Sequence, residues 1–421
     1  MRPFKATNTV LALLCAMYFI TYVDRVNLSA AAVAIQAEFG VSNTDLGIIF
    51  SAFGWSYLFM QFSGAWIGDH FGPRRVLVVC GIIWAGATVL MGLTWSLAAL
   101  FGLRLLLGIG EGATFPTATR AMRTWLPPHR YGFGQGITHS FSRLGGTVTP
   151  PIIIFLIYYI GWRGSFVVVG SLSFIWVILW AWYFRDDPKD HPSITEEELA
   201  QLPHHDTASK ERPRIPWLAL VRRMWPVTLT YFCYGWCLWI FLTWIPLFFA
   251  QNYNLDLRGI ATFSTIVFFG GFIGDTVGGV LSDALLRRTG SKKFARLSVI
   301  TLGFVGTFFS VSPLLFTQDF TVAVVSLTAT FFFAELIIGP IWTVPMDIAP
   351  KYASTAAGLM NVGSAGASAI SAIVAGSILD LTGNWELPFV MLMGFCVVGS
   401  VMAFKMHTER PFVEPGERAP D

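Results

Sequence analysis

Ionisable side chains interrupt stretches that are otherwise apolar: Asp24, Arg25, Arg104, Glu111, Arg120, Arg143, Asp275 and Glu335. A charge at the centre of a membrane helix costs roughly 2.5 to 3.5 kcal/mol on insertion scales, so each is a functional candidate that needs a partner. In MYFITYVDRVNLSAAAV (17–33), Asp24 and Arg25 are adjacent. Tyr18, Tyr22, Arg25 and Ser29 share one helical face there, with Asp24 beside it. In RLLLGIGEGATFP (104–116), Arg104, Gly108 and Glu111 again share a face, and Gly108, Gly110 and Gly112 admit close approach of a helix or ligand.

Burial favours the protonated form of a carboxylate, whereas a neighbouring guanidinium favours the ionised form. Moving the guanidinium, or drawing it to an arriving anion, then decides whether the carboxylate holds a proton. Arginine also holds a carboxylate through two parallel hydrogen bonds. Arg143, in HSFSRLGG, is therefore a candidate substrate anchor, the alternative being a structural pair with Glu335 or another acid. Glu335, in FFFAELIIGP, is a candidate titrating group or acceptor of substrate hydroxyls. Asp275, in GGFIGDTVGG, is unassigned, with helix packing favoured.

The elements that must position these groups are membrane helices. The chain has 421 residues, 54% hydrophobic and 13% charged, against about 25% charged in an ordinary soluble domain. Apolar runs long enough to span a bilayer, about 20 residues, recur at 8–33, 44–68, 76–95, 97–121, 134–159, 165–184, 223–250, 259–283, 297–315, 320–345, 353–379 and 387–406. Runs this long are helices rather than barrel strands. An all-α membrane protein of twelve transmembrane helices is expected.

The opening MRPFKATNTVLALLCAM resembles a secretory signal, but Leu14 is large where cleavage wants a small residue and the apolar run continues. An uncleaved first helix is expected. Cys15, Cys80, Cys233, Cys237 and Cys396 lie inside spans with no metal-ligand spacing, and read as small buried apolar residues. Trp236 and Trp239 are spaced as in any packed membrane helix, which outweighs a ligand-facing role.

Cytoplasmic loops are enriched in Lys and Arg. With the N-terminus inside, every loop Lys and Arg except Arg163 and Arg258 falls on the cytoplasmic side, so both termini are expected there, in the inner (plasma) membrane. Topology thus accounts for the net charge of +3, and nucleic acid is not an expected partner.

A polar stretch divides the spans six and six. The expected units are an N-terminal six-helix bundle (1–184), a cytoplasmic linker (185–222), a C-terminal six-helix bundle (223–407) and a cytoplasmic tail (408–421). Glu196, Glu197 and Glu198 suit a short surface helix, and His204 and His205 read as solvated. AWIGDHFGPRR (65–75) is echoed by GVLSDALLRRTGSKK (279–293), with Asp69 and Asp283 in the same place, and TWLPPHRYGFG (124–134) more weakly by DIAPKYASTAAG (347–358). Parallel six-helix repeats are a transporter signature.

On these motifs the chain resembles the major facilitator superfamily over essentially its whole length. The 65–75 stretch is similar to that family's Gly-x-Leu-Ala-Asp-Arg-x-Gly-Arg-Arg loop, with Ala65 for the first Gly and His70 for the Arg. The resemblance implies a gating role for Asp69, Arg75, Asp283 and Arg287. YVDRVNLS (22–29), SAFGWSYLFMQ (51–61), LRLLLGIGEGATFP (103–116) and WIFLTWIP (239–246) further resemble the anion:cation symporter family, including bacterial proton-coupled sugar-acid transporters of the galactonate and glucarate type. Matched in place, Asp24 and Glu111 become the proton-coupling pair, with Arg25 and Arg104 as cationic partners. Tyr57, Trp342 and Asn361 become substrate-side groups, beside Arg143 and Glu335. Phe141 replaces an amide and Gly339 a serine of the galactonate-type members.

The resemblance implies a monomeric secondary transporter that imports an organic anion, such as a sugar acid or related carboxylate, with protons across the bilayer. The proton gradient is its energy source, and no cofactor or metal is expected. A proton-driven exporter of metabolites or drugs is the alternative. An enzyme is not expected, since the sequence has no His-Glu-x-x-His, Gly-x-Ser-x-Gly or nucleotide loop.

Overall fold

Hydrocarbon leaves a backbone no partner but itself, and among the described residues every regular element is helical. The computed structural model describes residues 6–127, 130–202, 215–406, 408, 409 and 412, without the side chains of Phe62, Ala65, Trp66, Asp69, Lys351 and Ser354. His204, His205 and most of the expected tail lie outside the described residues.

The helices are α1 (Ala6–Phe39), α2 (Asn43–Phe71), α3 (Pro73–Gly92), α4 (Leu97–Gly112), α5 (Thr114–Trp125), α6 (Tyr131–Tyr183), α7 (Glu196–Gln201), α8 (Trp217–Tyr253), α9 (Leu257–Thr289), α10 (Lys292–Val311), α11 (Phe320–Glu335), α12 (Ile338–Ile348), α13 (Ala353–Thr382) and α14 (Glu386–Ala403). Ten helical stretches are long and apolar enough to cross a membrane. One of them, Phe133–Tyr183, is two helices that meet at Gly161, whose φ of 73° suits a residue without a Cβ. The 29-residue α2 is a further long helix outside those ten.

Several expected boundaries move. The 97–121 run breaks at Ala113, between α4 and α5. The 320–345 run breaks just after Glu335, at Leu336 and Ile337, ahead of Pro340, which has no N–H to give the helix ladder. α8 begins at Trp217, within the stretch expected as linker, because Pro216 sets its start. Other ends follow capping chemistry. Ser42, Asp256, Ser291 and Asp319 accept backbone N–H groups at helix starts, and Gly290 and Gly383 close α9 and α13 in the left-handed conformation.

The helices before the linker pack chiefly as α1 on α6, α3 on α6 and α2 on α4, and those after it as α8 on α13, α9 on α11 and α10 on α11 and α14. The two groups meet through α2 and α13, α6 and α9, and α1 and α8. One end of this seam is sealed: the Asn43 and Thr44 N–H groups donate to Asp380 at 3.0 and 2.7 Å, and Gln251 donates to Gln36 and Asn43. In the linker, Glu198 completes a capping box with Thr195 and is itself buried, accepting from the Thr7 N–H (3.2 Å) and hydroxyl (3.0 Å). The linker is thereby tied to the start of α1. His191 packs edge-on to Trp125, and burial holds its imidazole below the usual range.

Candidate functional site

Neighbouring residues on a helix point about 100° apart, and Asp24 and Arg25 diverge accordingly. Asp24 turns into the first-half bundle, where the Thr88 and Ser173 hydroxyls donate to its two oxygens at 2.9 and 3.3 Å. Arg25 turns towards the seam, and its Nε donates to Glu111 Oε2 at 2.7 Å, with both side chains buried. The guanidinium carbon of Arg25 lies 5.0 to 5.2 Å from the ring centroids of Tyr22, Phe53, Tyr57 and Phe115, and 6.0 Å from Trp239. Such an aromatic box favours a cation that has lost its water. Arg25 Nη2 and Glu111 Oε1 have no hydrogen-bond partner within the protein.

Glycine makes this possible. A methyl group at Gly108 would meet the Phe53 carbonyl and Ser56 on α2, one at Gly110 the backbone of α3 at Cys80 and Trp84, and one at Gly112 Met60. The close approach expected of these three glycines is present, and it draws Arg104 and Glu111 under α2. Arg104 is buried with its guanidinium 5.2 Å from the Phe53 ring, and its Nε and Nη1 have no hydrogen-bond partner. The near partner of Glu111 is therefore Arg25 rather than Arg104.

A second charged group lies on the seam. Arg143, on α6, has Nε 3.0 Å from Glu335 Oε2 on α11 and 3.5 Å from Asp275 Oδ2 on α9. Its Nη1 donates to the Tyr22 hydroxyl at 3.0 Å and its Nη2 to the Tyr234 hydroxyl at 3.2 Å. Tyr234 in turn donates to Glu335 Oε1 at 3.0 Å. The pairing with Glu335 weighed from sequence is present, and Asp275 joins it instead of serving packing alone. Glycines again set the approach: a methyl at Gly274 would meet the Phe332 carbonyl and one at Gly278 the Leu336 carbonyl, so α9 lies backbone to backbone on α11 and Asp275 stands beside Glu335.

The remaining candidates fall around these two centres. Tyr57 stacks on Phe53 beside Arg25. Asn361 donates to Gln61 at 2.8 Å across the seam. Trp342 donates to the Tyr231 hydroxyl at 3.0 Å and its ring lies 5.2 Å from His139. Gly339 packs on Gly278 and Gly279, which makes it a helix-crossing residue, and Phe141 is partly exposed. Trp239, read from sequence as ordinary packing, lies against Arg25 and Phe53 and donates to Ser364. Sequence reasoning missed Gln61, His139, Tyr231 and Tyr234; hydroxyls and amides inside apolar runs were the signal available.

Among the expected gating residues, Asp283 pairs with Arg296 at 3.2 Å, while Arg287 is exposed. Arg296 also approaches Asp347 at 3.6 Å. Arg75 is exposed too, and its neighbour Arg74 makes the contacts, donating to the Ala181 carbonyl and, through its N–H, to Asp186. The Asp69 side chain lies outside the described residues.

Residues 14–372 match the sequence profile of the Major Facilitator Superfamily. The chain belongs to that superfamily. It is 43% identical over 417 residues to the probable sulfoacetate transporter SauU of Cupriavidus necator, covering 99% of this chain and 97% of that one. It is 29% identical over 400 residues to the probable galactarate/D-glucarate transporter GarP of Escherichia coli, covering 89% of each. A solved structure of a bacterial homolog to the human lysosomal transporter Spinster, inward-facing and occupied, superposes with a TM-score of 0.70 at 17% identity, covering 95% of this chain and 96% of that one, and shows the shared fold. The protein is thus a multi-pass membrane transporter of the organic-anion type, not an enzyme.

Proposed function

We propose that the protein imports a small organic anion together with protons by alternating access. The observation that carries this reading is the placing of two guanidiniums around one ring: the carbons of Arg25 and Arg143 lie 5.0 and 5.3 Å from the Tyr22 centroid. Two cations so close suit a compact anion with a charged group at each end. The sugar diacid and sulfoacetate named for its relatives both have that form.

In this reading Arg25 and Arg143 hold the anion, with Tyr57, Arg104, Trp342, Asn361 and Glu335 around it, and Asp24 and Glu111 carry protons. Twelve helices in two bundles, 1–184 and 223–407, rock about the seam in the inner membrane, with both termini cytoplasmic. Asp69 and Asp283 steady the cytoplasmic face. The transporter works as a monomer, without cofactor, on the proton gradient. Each net positive charge carried inward gains about 2.3 kcal/mol per 100 mV.

Uptake into proteoliposomes tests this directly. Sulfoacetate, galactarate, glucarate and galactonate are offered with an inward proton gradient, using wild type, Asp24→Asn and Arg143→Ala. One anion is expected to accumulate with the gradient in wild type alone. Accumulation that ignores the gradient removes proton coupling, and movement only outward favours an exporter.

A further inference from the structure

Arg143 is shared by two acids from the other half of the chain. With all three ionised, Arg143, Glu335 and Asp275 sum to one excess negative charge, whereas Arg25 and Glu111 cancel. Both acids reach Arg143 at Nε, and Nη1 and Nη2 each donate to a tyrosine hydroxyl, so an incoming anion would be a third negative group around one guanidinium. An anion arriving at Arg143 competes with both carboxylates for its charge, and a carboxylate that loses its share while it stays buried is costly unless it is neutralised. Glu335 is fully buried, and its only cationic contact within salt-bridge distance among the described residues is Arg143.

We propose that Glu335 and Asp275 form a second proton-loading site, filled when the anion takes Arg143 from them. This rests on the anion-binding reading above and adds to it a proton site in the second half, beyond Asp24 and Glu111. The step is a plain exchange. The ion-pair contact of the guanidinium passes from carboxylate to substrate, and one proton from bulk hydronium binds the freed carboxylate and stays on it, its O–H donating a hydrogen bond to a neighbour or to the anion.

The groups that face this site are known from every side. Tyr22 comes from α1, His139 and Arg143 from α6, Tyr231, Tyr234 and Cys237 from α8, Asp275 from α9 and Trp342 from α12. Tyr234 already bridges guanidinium and carboxylate, so it keeps a hydrogen bond to Glu335 when Arg143 leaves. Because α6 and α9 belong to different halves of the chain, the same exchange unties a link across the seam. Anion and proton together thereby release what either alone leaves fastened.

The test is calorimetry on the full chain in detergent, titrating sulfoacetate and galactarate in pairs of buffers with different ionisation heats, which counts protons taken up per anion. Glu335→Gln or Asp275→Asn is expected to lower that count by about one relative to wild type. Asp24→Asn with Glu111→Gln, which leaves the seam intact, is expected to retain about one proton. An unchanged count in both seam variants, or no uptake at all in the Asp24/Glu111 pair, overturns the second site while leaving anion transport standing. If wild type binds neither anion, the anion reading itself fails and this inference with it.

Discussion

Two arginine–carboxylate centres sit either side of Tyr22, and they differ in how the chain closes them. Arg25 and Glu111 both come from the first half, are joined by one short bond and cancel in charge. Arg143 reaches from the first half to two acids of the second, and the sum is negative. A pair within one half keeps its geometry if the halves move as bodies. A pair across the seam cannot, so the second centre answers to motion as well as to the anion, while the first answers to occupancy alone.

Arg143→Ala should have the largest effect. It leaves buried Glu335 beside half-buried Asp275 with no cation between them, and breaking a buried pair this way costs about 3 to 5 kcal/mol. Thermal unfolding in detergent should fall markedly and uptake should vanish. Arg143→Met combined with Glu335→Gln and Asp275→Asn should regain most of the stability and none of the uptake. Regained uptake would show that the bridge only holds helices together.

Glu111→Gln comes next. It removes the charge facing Arg25 without emptying the space, and accumulation driven by a proton gradient should fall at least about tenfold, equivalent to about 1.4 kcal/mol. Exchange of labelled for unlabelled anion at equal pH should persist. If exchange is lost as completely as accumulation, Glu111 holds the anion site together rather than coupling it.

Much of this contrast was legible in the sequence, because burial of charge is so costly that each ionisable residue in an apolar run announces a site. The face shared by Arg104, Gly108 and Glu111 was readable from helical spacing, and the glycines pack as that spacing required. Partnership was harder. Asp24 and Arg25 look like a pair in the linear chain yet face different neighbours, and Glu335 could be named only as one possible acid for Arg143 while Asp275 was left to packing, because no local pattern connects α9 and α11 to α6. The repeated Asp69 and Asp283 motifs show the same limit: Asp283 could be picked out by its repeat with Asp69, but its partner Arg296 lies on the next helix, not four residues on at Arg287.

Gly274→Val probes how the second centre is brought together. Its side chain would meet the Phe332 carbonyl and push α9 from α11, and overpacking of this kind costs about 1 to 3 kcal/mol. Stability and uptake should both drop, with the Arg143–Asp275 contact loosened more than Arg25–Glu111. Gly358→Ala, where a methyl meets nothing within 4 Å, is the matched control and should be near neutral.

Asp283→Asn should be the mildest, and its size decides whether this end of α9 belongs to the seam or only to the second half. Asp283 is 60% exposed, and Arg296 keeps Ser282 at 2.7 Å and Asp347 at 3.6 Å without it. Arg296 is buried but Asp283 is open to solvent, which holds the pair near the surface value of about 0 to 1 kcal/mol, so stability should barely move. If the contact serves only its own half, the rate of anion uptake should change less than about fivefold, since about 1 kcal/mol is the upper limit of what is lost. A much larger fall in rate at unchanged stability would mean that Asp283 meets the first half in another state of the cycle. The seam would then be fastened at a further place, by a charge that is free of it in this conformation.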